Sequence, residues 1–414
     1  MGTSAAIWSD IRLLTYRRNL FILCFTVFLA AMSWNQIVPF LPLFLKDLGV
    51  TGSVVGWSGL VFAAQSLAAI FMQPFWGRMG DRVGRKPMII RAGLCLAVIY
   101  FGMSICRTAW QLTLLRFLNG ALTGFIPGSF ALIATNTPDG LSGRYVATAQ
   151  SASAIGGIAG PVAGGILAAL LGRRGSLRLC SLTVLIATIL VIMFVREENR
   201  PESDGKTSLL TDFRQTLSLQ GMPLLLGIAL LGAAVNPAIQ PILALHLQIL
   251  DSTRPVWFDG IAYAMPGAAF ATFAYLWSRA GELYTRHLMM GIGLAGATLA
   301  LLFLGVATSL WTFVAGYFML GVCLAALGPN TAAYIASEVP CQVRGRTYGI
   351  LQAANTAGAF VAQLGAGVVG QALGLRWVFV MLAGVTMTGV VLLFRAGKFD
   401  RLKSAMLKAG VAGE

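Results

Sequence analysis

The residues able to do chemistry in this chain are few, and their spacing is uneven. Gly77, Gly80, Asp81, Arg82, Gly84, Arg85 and Lys86 crowd one acid, three cations and three glycines into a single short stretch. Such a stretch suits a tight junction whose carboxylate accepts hydrogen bonds or faces the positive end of a neighbouring helix. Arg116 stands alone inside an apolar run. An ionised group there costs about 2.5–3.5 kcal/mol or more unless it is paired or wet, so either the chain uses the charge or the side chain snorkels to an interface. Asp259 and His246, near the ends of apolar runs, are the titratable groups best placed to exchange a proton. For Asp259 the competing reading is a helix cap. Amides recur at Asn35, Gln36, Asn236, Gln240, Gln352 and Asn355, the first four beside Pro39, Pro42, Pro237 and Pro241. They suit either a substrate cavity lined by broken helices or ordinary amide packing between helices.

Catalytic groupings are missing. With two His residues, no G-x-S-x-G and no H-E-x-x-H, the chain offers no catalytic set, and its six Cys have no paired spacing. No enzyme activity, metal or cofactor is expected. Gly205-Lys206-Thr207 fails as a phosphate loop, because Arg200 occupies the place of the first glycine and no strand precedes it.

The elements that must position these residues are set by hydropathy. At 414 residues, 57% hydrophobic and 11% charged, the chain is too apolar for a soluble protein, and its mean hydropathy is +0.78. Apolar runs long enough to span a bilayer lie near 20–45, 54–77, 88–106, 110–136, 145–171, 177–195, 222–248, 256–277, 288–306, 310–336, 346–373 and 377–394. They predict an all-α membrane protein of twelve transmembrane helices. With both termini cytoplasmic, every Lys and Arg falls inside except Lys46, Arg107, Arg173, Arg174, Arg178, Arg254 and Arg376 outside and Arg116 in a span. The net charge of +15 is therefore a topology signal with affinity for anionic lipid headgroups, and nucleic acid is not an expected partner. The first run, long and bearing Pro39 and Pro42, is expected to be a retained helix and not a signal peptide.

A shift of 201 or 202 positions superimposes the two halves. Trp76-Gly77-Arg78-Met79-Gly80-Asp81 meets Trp277-Ser278-Arg279-Ala280-Gly281-Glu282, Gly120 meets Gly321, and Gln150 meets Gln352. This predicts two pseudo-symmetric six-helix bundles, residues 1–195 and 221–414, joined by a cytoplasmic linker at 196–220. Leu209, Leu210, Phe213 and Leu217 of the linker are spaced for a surface amphipathic helix.

The 77–86 stretch, written G-x-x-x-D-R-x-G-R-K, resembles the signature between helices 2 and 3 of the major facilitator superfamily. The resemblance implies that Asp81 is a conformational latch, pairing with helix 11 near Arg344 and Arg346; the plainer alternative is a turn with topogenic charge. Arg116, in an R-x-x-x-G pattern with Gly120, resembles the family's helix 4 motif, whose arginine is tied to gating and proton handling. Gly156, Gly160, Pro161, Gly164 and Gly165 spell G-x-x-x-G-P-x-x-G-G, which is similar to the helix 5 motif of the drug:proton antiporter branch. What the resemblance implies is a bacterial inner-membrane exporter of small lipophilic compounds, monomeric and rocking between access states. Protons, lipids and a small-molecule substrate would be its partners. The alternative is export of one dedicated metabolite, siderophore, sugar or lipid; a non-transporting receptor or enzyme is the remaining class. No span carries a midplane carboxylate, which departs from much of the branch.

Overall fold

The computed structural model describes residues 2–50, 52–137, 140–197, 214, 217–218, 221–339 and 341–408, without the side chains of 2–15, 341–346 and 396–408. The linker helix expected at 209–217 lies almost wholly outside the described residues. Apolar runs in lipid must satisfy their own backbone hydrogen bonds, and here they do so as helices. α1 (Gly2–Gln36) stops short of Pro39; the chain turns and resumes as α2 (Leu41–Asp47), with Pro42 in its first turn. α3 (Val54–Val83) is capped by Ser53, whose hydroxyl accepts the Gly56 N–H at 3.1 Å. After α4 (Arg85–Ile105), α5 (Ala109–Leu122) opens on a capping box between Thr108 and Gln111. It breaks at Gly124, φ +140°, into α6 (Phe125–Asn136). α7 (Ser142–Phe194) holds two spans separated at Gly172, φ +71°.

The second half follows the same plan with α8 (Met222–Leu250), α9 (Val256–Leu283), α10 (Arg286–Val306), α11 (Leu310–Leu324), α12 (Leu327–Glu338), α13 (Cys341–Ala372) and α14 (Leu375–Lys408). Joining α1 to α2, α5 to α6 and α11 to α12, and dividing α7, gives the twelve spans expected. Among the described residues nine helical stretches are long and apolar enough to cross a membrane; the second span of α7 and the more polar α9 and α13 complete the set.

The chain forms two compact units, residues 1–206 with 240–264, and residues 207–239 with 265–414. In the first, α1 lies along α7. A Cβ on Gly156 or Gly160 would sit 2.5 Å from the carbonyl oxygens of Phe28 or Met32, and one on Gly164 would strike that of Gln36. α5 crosses α3 where Gly120 meets the backbone of Gln65. The second unit repeats these contacts 201 or 202 positions on. Gly321 meets Pro266, and a Cβ on Gly358 would lie 2.6 Å from the Leu230 carbonyl oxygen. The Trp76 indole donates to the Ala121 carbonyl at 2.6 Å, and the Trp277 indole to that of Val322 at 2.8 Å. The duplication seen in sequence is thus a duplication of contacts.

Candidate functional site

The glycine-rich stretch is not the extended turn its composition suggests. Gly77, Gly80, Asp81 and Arg82 all lie in the last turns of α3, and the chain leaves the helix only at Gly84, φ +113°. Without a Cβ, Gly84 adopts a conformation strained for other residues, and Arg85 and Lys86 then open α4. Asp81 pairs with Arg85 at 3.0 Å. The side chains of Arg344 and Arg346 lie outside the described residues, so the cross-half pairing of the latch has no described counterpart.

Glu197, which the sequence reading passed over, completes this junction. Its carboxylate accepts the backbone N–H of Arg85 at 2.7 Å and of Lys86 at 3.1 Å, capping α4 from the end of the sixth span. The Arg196 carbonyl accepts the side-chain amides of Asn19 and Asn136, each at 2.8 Å, and Lys86 Nζ donates to the Ile192 carbonyl at 3.0 Å. An acid directly after an apolar run, facing a helix whose N-cap is glycine, was the available signal.

The helix 5 motif presents two faces. Gly156, Gly160 and Gly164 admit the backbone of α1, while Pro161 and Gly165 meet Gly260 of α9, so closely that a Cβ on Gly260 would collide with the Pro161 carbonyl. The amides are scattered. Gln36, 1% exposed, donates to the carbonyl and hydroxyl of Ser176 at 3.2 and 3.0 Å, a tie between helices inside the first unit. Asn35 donates to the Ala31 carbonyl at 2.9 Å. Asn236 accepts the Tyr317 hydroxyl at 2.8 Å within the second unit. Half-buried Gln240 accepts the Tyr263 hydroxyl at its carbonyl, 2.6 Å away. Gln352 is exposed, and half-buried Asn355 has no partner at Oδ1.

Asp259 lies in the first turn of α9, with its carboxylate turned to a guanidinium. Arg254 Nε and Nη2 donate to its two oxygens at 2.7 and 3.0 Å, and both side chains are almost fully buried. Arg254 also donates to the carbonyls of Ala244 at 2.9 Å and Asp251 at 3.1 Å. In the loop before α9, the hydroxyl and amide of Thr253 hold the Asp251 carboxyl below the usual carboxylate range. His246 is buried near the end of α8. Beside these groups the Ser58 hydroxyl donates to the Pro241 carbonyl at 2.7 Å, so the end of α8 is held to α3. Arg116 is enclosed in the first unit, its Cζ 5.2 Å from the centre of the Phe62 ring. Nothing in this arrangement sets a nucleophile beside a base, and no group of three or more metal-ligating side chains occurs among the described residues.

Known proteins place this assembly. The chain matches the family described as Major Facilitator Superfamily over residues 23–258 and 224–410. It is 30% identical over 385 residues to the multidrug resistance protein MdtG of Salmonella arizonae, covering 91% of this chain and 95% of that protein. The MdtG of Citrobacter koseri is likewise 30% identical, with 91% and 94% covered. Among solved structures, a bacterial homologue of the human lysosomal transporter Spinster superposes with a TM-score of 0.79 at 15% identity, covering 93% of this chain and 97% of that one. The nucleoside transporter NupG superposes with a TM-score of 0.73 at 16% identity, covering 91% of this chain and 98% of that one. The matched residues, the twelve spans and the doubled helix contacts agree: the chain belongs to the major facilitator superfamily and is a multi-pass membrane transporter, not an enzyme.

Proposed function

We propose that this transporter expels small lipophilic compounds from the cytoplasm in exchange for protons, acting as a monomer whose two six-helix halves alternate access. The packing of the helix 5 motif carries the reading. Its glycines open a face without side chains to α1, while the Pro161 carbonyl and Gly165 meet Gly260, the kind of close seam that must seal one side of an exporter while the other opens. The multidrug resistance names of the 30%-identical relatives support the substrate class. For the proton we assign Asp259: protonation would weaken its bidentate hold on Arg254 and free that end of α9, with buried His246 as the second titratable group nearby. The latch role of Asp81 belongs to the same reading, as does cavity lining by Asn35, Asn236, Gln240 and Asn355.

Reconstituted in liposomes, the protein is expected to drive a lipophilic fluorescent dye against its gradient when a pH difference is imposed, with measured proton flux opposite to the dye. Dye movement indifferent to the pH difference would overturn antiport. Gradient-driven transport that persists in the Asp259→Asn, His246→Gln double variant would remove both proton sites while leaving export intact.

A further inference from the structure

Arg116 is an ionised side chain enclosed with no acid paired to it among the described residues. On α5 it is 4% exposed, forms none of the ion pairs found among the described residues, and its Nε closes no hydrogen bond. Asn119, one turn further along α5 and 0% exposed, has neither amide atom hydrogen-bonded. Gln65 on α3, 8% exposed, has no partner at Oε1, and fully buried Tyr100 of α4 lies near Asn119 and Arg116. Polar groups cost free energy when buried without partners, and a guanidinium costs most. Three helices here converge on unpaired polar atoms, two of them the donors Arg116 Nε and Asn119 Nδ2 and two the acceptor oxygens of Asn119 and Gln65.

The duplicated half shows that packing does not require this. Shifted by 201 positions, Phe62, Gln65, Tyr100, Arg116 and Asn119 correspond to Tyr263, Pro266, Leu301, Tyr317 and Leu320. There the equivalent helix crossing, Gly321 against Pro266, closes around apolar side chains, and Tyr317 has its partner in Asn236. The same contact geometry is thus reached with no buried charge.

We propose that Arg116, with Asn119 and Tyr100, forms a binding site for a compact anionic group such as a carboxylate, a sulfonate or a halide. The guanidinium fork supplies the charge, and the Asn119 amide and Tyr100 hydroxyl supply further donors. The group is small because α5 and α3 touch through Gly120 and Gln65 directly beside it. It is either the head of an exported compound, in which case the inference rests on the export reading and gives its substrate class, or a free inorganic anion.

Two fluorescent probes with one aromatic skeleton separate these sources: 8-anilinonaphthalene-1-sulfonate, which carries the anion, and neutral N-phenyl-1-naphthylamine. Binding is measured to the purified full chain in nanodiscs, corrected against empty discs, in chloride and in gluconate. The wild type is expected to bind the sulfonate about tenfold or more tightly than the amine, the scale of a charge-assisted hydrogen bond. Arg116→Gln should abolish that preference and leave amine binding within about twofold. Should that variant fail to fold, Arg116→Lys, which keeps charge but loses the fork, and Asn119→Leu report on the same ratio and should each lower it several-fold. A melting temperature raised by chloride in the wild type and not in these variants identifies the occupant as a free anion. A sulfonate-to-amine ratio near one together with chloride-independent melting, or a ratio that none of the three substitutions moves, overturns the site. Discrimination between the probes without transport driven by a pH difference would instead overturn antiport and leave the anion site standing.

Discussion

The two halves use one set of helix crossings to enclose opposite chemistries. Where α3 meets α5, Gly120 admits the Gln65 backbone and the space around it holds Arg116, Asn119 and Tyr100; where α9 meets α11, Gly321 admits Pro266 and the space holds Tyr317, Leu320 and Leu301. Backbone approach is preserved and side-chain polarity is not. A second pair of sites exchanges volume in place of charge. In the first half Gly93 of α4 faces Thr188 of α7, while at the matching positions Leu294 of α10 fills the space left by Gly389 of α14. Close packing conserves total volume across a contact and leaves open which helix provides it. The scaffold therefore constrains the crossings, and the contents of each crossing are free to diverge.

The largest effect should come where the first half allows no side chain and the second allows one. Gly164 is pressed to the Gln36 carbonyl, whereas its counterpart Ala366 is buried with its methyl in place. Gly164→Leu is expected to cost about 3 kcal/mol or more and abolish recoverable folded protein in gel filtration, while Ala366→Gly should cost about 1 kcal/mol. Equal melting temperatures for Gly164→Leu and wild type would show that the helix 5 face is not a packing constraint.

The exchange of volume can be tested by transplanting it. Gly93→Leu and Thr188→Gly, each destabilising alone, should be partly compensated in the double variant, with a coupling of about 1–3 kcal/mol in thermal unfolding. Strict additivity would mean that the two contacts are not equivalent.

Capping also differs between the halves: Glu197 caps α4, while at α10 the N-cap Thr285 makes no side-chain bond. Glu197→Gln should cost about 1 kcal/mol at low salt and less at high salt, and Thr285→Ala a smaller amount. Comparable losses from the two would deny the Glu197 cap its role.

The smallest effect on stability belongs to Asp81, whose pair with Arg85 is partly exposed. Asp81→Asn should change stability by less than about 1 kcal/mol. If Asp81 is a latch, dye export in cells falls sharply all the same, while Glu282→Gln, its exposed counterpart, leaves export near wild type. Normal export by Asp81→Asn would reduce the motif to a turn with topogenic charge.

The sequence by itself determined the spans, the duplication and the glycine face of α7. Hydropathy acts residue by residue along the chain, and repeated small residues every fourth position mark a close helix contact without naming the partner. It also isolated Arg116 as a charge in an apolar run. Only the tertiary structure decided what each polar group meets. Gln36 finds Ser176, Glu197 finds the first amides of α4, and Arg254 closes on Asp259. The stretch at 77–86 proved helical to Val83, because glycine composition permits a turn without requiring one and the backbone hydrogen bonds of α3 run on until the Gly84 N–H donates to the Gly80 carbonyl at 3.1 Å. Such pairings depend on how far each helix is rotated about its axis and where it crosses its neighbours. Contacts such as Gly120 on Gln65 set that rotation, between residues far apart in the chain that no local pattern connects.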